Sequence, residues 1–207
     1  MAEGGARVAA ILLAAGTASR FRAGGGGEAS KLVALLEGKA LVRHVAEAAL
    51  ASDARPVIVV TGHARVEVEA TLAGLTLTRV YNTAYAEGLA GSLKAGIAAV
   101  PSDAAGAVIL LGDMPGVSAA IIDALIAALQ TDKSALAVAP TQDGKRGNPV
   151  LLTRAVFPAV SGLSGDQGAR KLIVAAGMAV IEAPVSSEAI FQDVDTREDL
   201  RALKSKK

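Results

Sequence analysis

The chain has 207 residues, 52% hydrophobic but only 2% aromatic, with 21 Lys and Arg against 20 Asp and Glu and no cysteine. That length suits one α/β domain with a sizeable core, and the apolar content excludes a disordered chain. Balanced charge and scarce aromatics argue against nucleic acid or a membrane surface as partner, and the missing cysteines exclude disulfides, thiolate metal sites and a cysteine nucleophile.

Met1 to Arg7 lacks a basic leader pattern, and no apolar run is long enough to span a bilayer, so the expected location is cytoplasmic. Val8–Leu13 is a continuous apolar run, as expected of a strand buried on both faces. Leu41–Leu50 is spaced as a helix, Pro56–Val60 as a strand, and Val66–Leu72 as a helix stopped by Gly74. Thr78–Tyr81 is a short strand, Leu89–Val100 a helix ending before Pro101, and Ala107–Leu111 a strand ended by Gly112-Asp113-Met114-Pro115.

Ser118 is the expected N-cap of a helix through Gln130. Leu136–Ala139 is a strand closed by Pro140, Val150–Thr153 another, Lys171–Ala176 part of a helix, and Ala179–Ala183 the last strand. Thr196-Arg197-Glu198-Asp199 is similar to a capping box opening a C-terminal helix, with Lys204, Lys206 and Lys207 as a solvated tail. Gly24–Gly27 is the low-complexity piece and is expected to be a loop.

Strands alternating with helices predict a three-layer, Rossmann-like α/β fold with a mostly parallel sheet. The expected organisation is a single domain over residues 1–207, with a nucleotide-binding half (about 1–115) and an acceptor-binding half (about 116–207). In such open sheets ligands gather at the carboxyl ends of strands. The residues that follow each strand therefore carry the functional reading.

After the first strand come Leu13, Ala14, Ala15 and Gly16, small residues that let backbone N–H groups approach a phosphate, with Arg20 and Lys31 as charge-neutralising bases. A plain strand-to-loop turn with surface bases is the alternative, and the pattern is neither a Walker A sequence nor GxGxxG. Asp113 stands where a carboxylate can hold Mg²⁺ together with phosphate oxygens, or where it can simply make a turn or cap a helix. A second carboxylate, Asp193 or Asp195, strengthens the metal reading, although Asp195 also suits a helix start. Within Asn82–Ser92, the Asn and Ser side chains and exposed backbone can read a base or ribose, or form only a helix-entry loop. Asn148 and the Gly165–Lys171 tract form a fourth group, in which Asp166 can cap a helix whose N-terminus binds an anion beside Arg170. His44 and His63 read as structural or exposed, His63 being the nearer to the expected site.

In combination these pieces are more specific. The order LLAAG, SRF, Lys31, N-x-x-Y-x-x-G-x-x-x-S, LGDMP, GNP, GDQGAR and DVDT-x-EDL resembles the molybdenum cofactor nucleotidyltransferases from about Val8 to Leu203. LAAG with LGDMP is similar to the cytidylyltransferase branch rather than the guanylyltransferase branch. The resemblance implies a Rossmann-like nucleotidyltransferase that uses CTP and Mg²⁺. It assigns Leu13, Ala14, Ala15, Gly16, Arg20 and Lys31 to the nucleotide, with Arg20, Lys31 and Asp113 as the catalytic set. Gly88 and Ser92 would lie near base and ribose, Asp113 and Asp195 would hold Mg²⁺, and Asn148, Asp166 and Arg170 would face a molybdopterin-type acceptor. A molybdenum hydroxylase apoenzyme is the implied protein partner. The chain departs from the pattern in the Gly24–Gly27 extension and in carrying Asn148 where this group often has His. The rival readings are an NAD(P)-dependent oxidoreductase on the same scaffold, against which the missing GxGxxG argues, and a non-catalytic cofactor-binding chaperone for a molybdenum hydroxylase.

Overall fold

The computed structural model describes residues 7–17, 21, 30–132, 134–175 and 179–205. The readings of Arg20 and of the Gly24–Gly27 loop lie outside the described residues. Strand β1 (Val8–Ala14) is followed by a 3₁₀ turn at Lys31–Val33 and a small hairpin, β2 (Leu35–Leu36) and β3 (Lys39–Ala40). Next come α1 (Leu41–Ala51), β4 (Val57–Thr61), α2 (Arg65–Thr71) and β5 (Thr78–Tyr81). A second 3₁₀ turn at Tyr85–Glu87 leads into α3 (Leu89–Ala98), β6 (Gly106–Leu111) and α4 (Ala119–Thr131). The chain closes with β7 (Ala137–Gln142), β8 (Lys145–Arg146), β9 (Val150–Thr153), α5 (Phe157–Val160), α6 (Ala169–Ala175), β10 (Val180–Pro184) and α7 (Arg197–Ser205).

The strands lie in the order β10-β7-β9-β6-β1-β4-β5, with β8 paired to β7. Strand β9 runs antiparallel to both β6 and β7, while the other neighbours along this path are parallel. The fold is therefore the mostly parallel α/β arrangement expected. Every residue of β1 is buried, which is why it reads as an unbroken apolar run rather than an alternating one. Successive side chains still point to opposite faces. Val8, Ala10, Leu12 and Ala14 join α1 and α4 in one core, and Ala9, Ile11 and Leu13 join α3, α5 and α6 in the other. Sheet and two helical layers thus make the three layers.

Helix α3 sits almost directly on the central strands. A Cβ on its Gly96 would come within 2.5 Å of Ile11 Cγ2 and 3.2 Å of Val60 Cγ2, so a larger residue has no room there. A third, smaller core of Phe21, Ala34, Leu41, Val194 and Leu200 ties the segment ahead of α1 to the C-terminal helix. Among the described residues, no helix is long and apolar enough to cross a membrane.

Several strand ends shift by one residue from the sequence reading, and the end of β7 shifts by three. Pro140 does not close β7, which runs on to Gln142. The Pro140 carbonyl accepts from the Gly147 N–H on the β8 side. In a strand the N–H of a residue points to the same side as its carbonyl, so the donor that proline lacks would have faced that side too. The ladder to β10 loses nothing, and Pro140 stays in register with Ala183. Both predicted helix starts are present. The Ser118 side chain accepts from Ile121 N–H. Thr196 and Asp199 bond reciprocally, Asp199 N–H to Thr196 Oγ1 at 3.1 Å and Thr196 N–H to Asp199 Oδ2 at 2.7 Å.

Candidate active site at the ends of the central strands

Leu13 of β1 and Leu111 of β6 are register partners, so the two chains leave the sheet side by side. Gly112 keeps them close. Its N–H donates to the Leu13 carbonyl at 3.0 Å, and a Cβ there would stand 3.1 Å from that same oxygen. The next residue on the β6 side is Asp113, and on the β1 side the chain continues through Ala15, Gly16 and Thr17.

Lys31 faces Asp113 across this end of the sheet. It opens the 3₁₀ turn whose N-cap is the fully buried Ser30, the Ser30 hydroxyl oxygen accepting from Leu32 N–H. The Lys31 ammonium lies 2.7 Å from Asp113 Oδ2 and 2.6 Å from Asp195 Oδ1. Only 12% of the Lys31 side-chain surface and 20% of that of Asp113 is exposed, so water screens the pair poorly. Asp195 is 164 residues from Lys31 and is delivered by three local contacts. Val194 N–H donates to the Asp113 carbonyl at 2.9 Å, Val194 is buried in the third core, and Asp195 N–H donates to Asp199 Oδ2 at the start of α7.

Burial alone would lower the Lys31 ammonium, but Asp113 and Asp195 outweigh it and hold Lys31 above the ordinary lysine value. Asp193 is also held above its ordinary range, which disfavours its charged form: burial is the first cause, then the neighbouring Asp113 and Asp195, with Lys31 opposing. Asp113 Oδ1 is buried and, among the described residues, has no hydrogen-bond partner. An orphaned carboxylate oxygen beside a second carboxylate is a donor set that fits a hard divalent cation, which takes one or two carboxylates and fills its remaining positions from water or phosphate.

Lys31 and Asp113 line a cleft of about 370 Å³ together with Leu13, Ala15, Gly16, Thr17, Leu32, Leu111 and Gly112 on the strand side. Tyr85, Ala86, Gly88, Leu89, Ser92 and Asp166 form its other wall. Gly88 has φ +111°, and a Cβ there would lie 2.3 Å from the Gly165 carbonyl carbon. Only glycine allows this approach. Ala90 N–H donates to the Gly165 carbonyl beside it, which brings Asp166 from the second half of the chain into the wall. Ser92 Oγ accepts from Asn82 Nδ2 at 3.1 Å, and Asn82 Oδ1 accepts from Ala84 N–H, so this buried pair fixes the turn leading into Tyr85.

Of the residues singled out in the sequence, Leu13, Ala15, Gly16, Lys31, Gly88, Ser92, Asp113 and Asp166 line the cleft. Ala14 is buried beneath it, and Asp195 meets it through Lys31. Asn148 and Arg170 are not among the lining residues. Asn148 N–H donates to the Ile190 carbonyl. Arg170 donates to the Arg146 carbonyl and borders a separate groove with Leu163, Gln167 and Val174. Arg20 lies outside the described residues.

Sequence reasoning did not single out Thr17, Tyr85 or Gly112. Tyr85 stood inside a tract already read as base- or ribose-facing, and its turn packs on the first-strand loop because Gly62 leaves room. A Cβ on Gly62 would lie 2.5 Å from Tyr85 Cβ and 2.8 Å from Ala15 Cβ. His63, next in the chain, donates its backbone N–H to the Ala15 carbonyl and sets its ring 6.0 Å from that of Tyr85, centroid to centroid.

Residues 10–180 match the family model described as the MobA-like NTP transferase domain. Over 202 residues the chain is 30% identical to nicotine blue oxidoreductase of Paenarthrobacter nicotinovorans, covering 95% of this chain and 96% of that one. Over 131 residues it is 38% identical to the bifunctional protein GlmU of Albidiferax ferrireducens, covering 61% of this chain but only 27% of that longer protein. Among solved structures, Rv0371c of Mycobacterium tuberculosis H37Rv superposes with a TM-score of 0.83 at 26% identity, covering 97% of this chain and 99% of that one. The complex of that same protein with manganese superposes with a TM-score of 0.78 at 25% identity, covering 97% of this chain and 100% of that one. With the family model spanning all but the chain's two ends, and with strand-end loops, Lys31 and Asp113 gathered on one cleft, the chain belongs to the MobA-like NTP transferase family.

Proposed function

We propose that the chain is a cytidylyltransferase that transfers CMP from CTP to the terminal phosphate of a molybdopterin-type cofactor and releases pyrophosphate. The observation that carries this reading is the Lys31 ammonium held between Asp113 and Asp195 at the carboxyl ends of β1 and β6. A buried cation between two carboxylates, beside a loop of small residues, is the equipment needed to hold a metal–triphosphate. Asp113, with Asp195, would hold Mg²⁺, which supplies charge neutralisation on the phosphates. The manganese complex of the related Rv0371c supports a divalent cation in this fold.

The backbone of Ala15, Gly16 and Thr17 would approach the phosphates, since small residues leave their N–H groups accessible. Lys31 would offset negative charge on the triphosphate, and the Tyr85–Ser92 wall would take the base and ribose. The acceptor phosphate attacks the α-phosphorus in line, forming a new P–O bond as the bond to pyrophosphate breaks. A phosphate monoester is already largely dianionic at pH 7, its second pKa being about 6. The attack therefore needs no general base, and catalysis comes from positioning and charge. The motif resemblance supports cytosine as the base and molybdopterin as the acceptor. A molybdenum hydroxylase apoenzyme would receive the product.

A second reading follows from the relative that aligns end to end. Nicotine blue oxidoreductase matches 95% of the chain, and its name denotes redox chemistry. A hydride transfer would leave the orphaned Asp113 oxygen without use, and the chain has no dinucleotide fingerprint. Incubating the protein with molybdenum cofactor and CTP, GTP or ATP, each with Mg²⁺, and separately with NADH or NADPH and a dye acceptor separates the two. Pyrophosphate released from CTP in preference to GTP and ATP is the expected result. Oxidation of the nicotinamide with no pyrophosphate from any nucleotide would overturn the proposal.

A further inference from the structure

We propose that Lys31 is the built-in counter-ion of the Asp113–Asp195 pair in the nucleotide-free protein, so that a divalent cation gains the pair only when a triphosphate draws the ammonium away. This rests on the nucleotidyltransferase reading and extends it to the order in which the site fills.

The argument starts from the two short contacts. The ammonium is within 2.7 Å of an oxygen of Asp113 and 2.6 Å of an oxygen of Asp195, and it is mostly out of water. Two carboxylates this close, with one of them largely buried, need a cation between them, because an unpaired buried charge is costly. Lys31 meets that need without metal. A divalent cation needs the same oxygens, and it would stand within a few ångströms of the ammonium, where two positive charges in a poorly screened site repel strongly. Lysine and metal are therefore competitors for the pair.

The fit of the ammonium is incomplete. It engages Asp113 through Oδ2, while Oδ1 stays buried with no hydrogen-bond partner among the described residues. A metal can use that oxygen, so the site is satisfied better by metal than by lysine once the lysine has somewhere else to go. The cleft offers such a place. Lys31 lines it together with Gly16 and Thr17, where the phosphates would lie. Its backbone is fixed by the Ser30 cap, while the four-carbon stem has rotatable bonds that can re-aim the ammonium. Arrival of a triphosphate then gives the ammonium new anionic partners and releases the carboxylates to the cation that the nucleotide brings with it. Nucleotide and metal then bind with mutual reinforcement.

The test is Mn²⁺ titration of the full chain without nucleotide, read by the electron paramagnetic resonance of free Mn²⁺. Wild type, Lys31→Met, and Lys31→Met combined with Asp113→Asn are compared. Lys31→Met should bind Mn²⁺ at least about tenfold more tightly than wild type, and Asp113→Asn should remove the gain. Where the methionine variant fails to fold, Lys31→Gln carries the same comparison. Wild type binding as tightly as the Lys31 variant, or a gain that survives Asp113→Asn, would overturn the counter-ion role. Pyrophosphate release by wild type with Mn²⁺, CTP and molybdenum cofactor, run in parallel, reports on the underlying reading. Release without any gain in the Lys31 variant overturns the counter-ion role alone. No release with any acceptor overturns the reading itself.

Discussion

Asp113 carries most of the chemistry assigned to the cleft, and its surroundings show why its substitution should separate function from fold. One carboxylate oxygen holds Lys31, the other is buried with no partner among the described residues, and the main chain is fixed independently through its carbonyl and Val194. Asp113→Ala leaves that backbone bond and the neighbouring glycine contact in place. We expect pyrophosphate release to fall by at least about a hundredfold, since several kcal/mol of charge stabilisation would be lost. The far-ultraviolet spectrum should be unchanged. Turnover at the wild-type rate would contradict the assignment. The pairing of Lys31 with Asp195 was not legible in the sequence, where the two stand 164 positions apart. Their place after a late strand left Asp193 and Asp195 as alternatives, and only the motif resemblance assigned Asp195 to the metal.

At the scale of single elements, helix α3 sets two local preferences against each other. Gly96 is in mid-helix, where alanine is favoured by about 1 kcal/mol. Yet a methyl group there would come within 2.5 Å of Ile11 Cγ2 on the central strand. Overpacking of this kind costs about 1–3 kcal/mol, so Gly96→Ala should lower the urea midpoint, and a rise would show that the helix can lift off the sheet. Helix α7 gives a pH-dependent counterpart. Hydrogen bonds from Thr196 hold the Asp199 carboxyl below the ordinary carboxylate range. The folded value lies below the unfolded one, about 3.9, so the contribution is complete above that pH and fades as acid protonates the folded carboxylate. Asp199→Ala should cost about 1 kcal/mol at pH 7 and progressively less below about pH 4. Urea melts at pH 7 and pH 3 check this, and an equal loss at both would remove the capping carboxylate from the account. Both helix caps could be read from the sequence because capping is a local hydrogen-bonding pattern. The end of β7 could not, because whether Pro140 breaks a strand depends on which side its missing donor faces, a fact of sheet order.

For the whole molecule, the legible part was what burial dictates. The apolar run of β1 announced a strand covered on both faces, those of β4 and β6 read as strands, and the parallel sheet followed from their alternation with helices. The two-residue strands of β2, β3 and β8 escaped notice, since no periodicity can show in so few residues. The antiparallel placement of β9 between β6 and β7 also escaped, because strand direction is a property of connections rather than of composition. The cleft was legible as a set of strand ends. Its far wall was less so, because Gly88 and Gly165 meet across 77 positions of chain only once the fold is formed. The central claim, transfer of CMP to a phosphorylated pterin, is tested most directly by following pyrophosphate release from CTP and Mg²⁺ with and without molybdenum cofactor. The account predicts release that depends on the acceptor and a product that carries both pterin and cytidine. Release that ignores the acceptor, or an acceptor recovered unchanged while CTP is consumed, would contradict it.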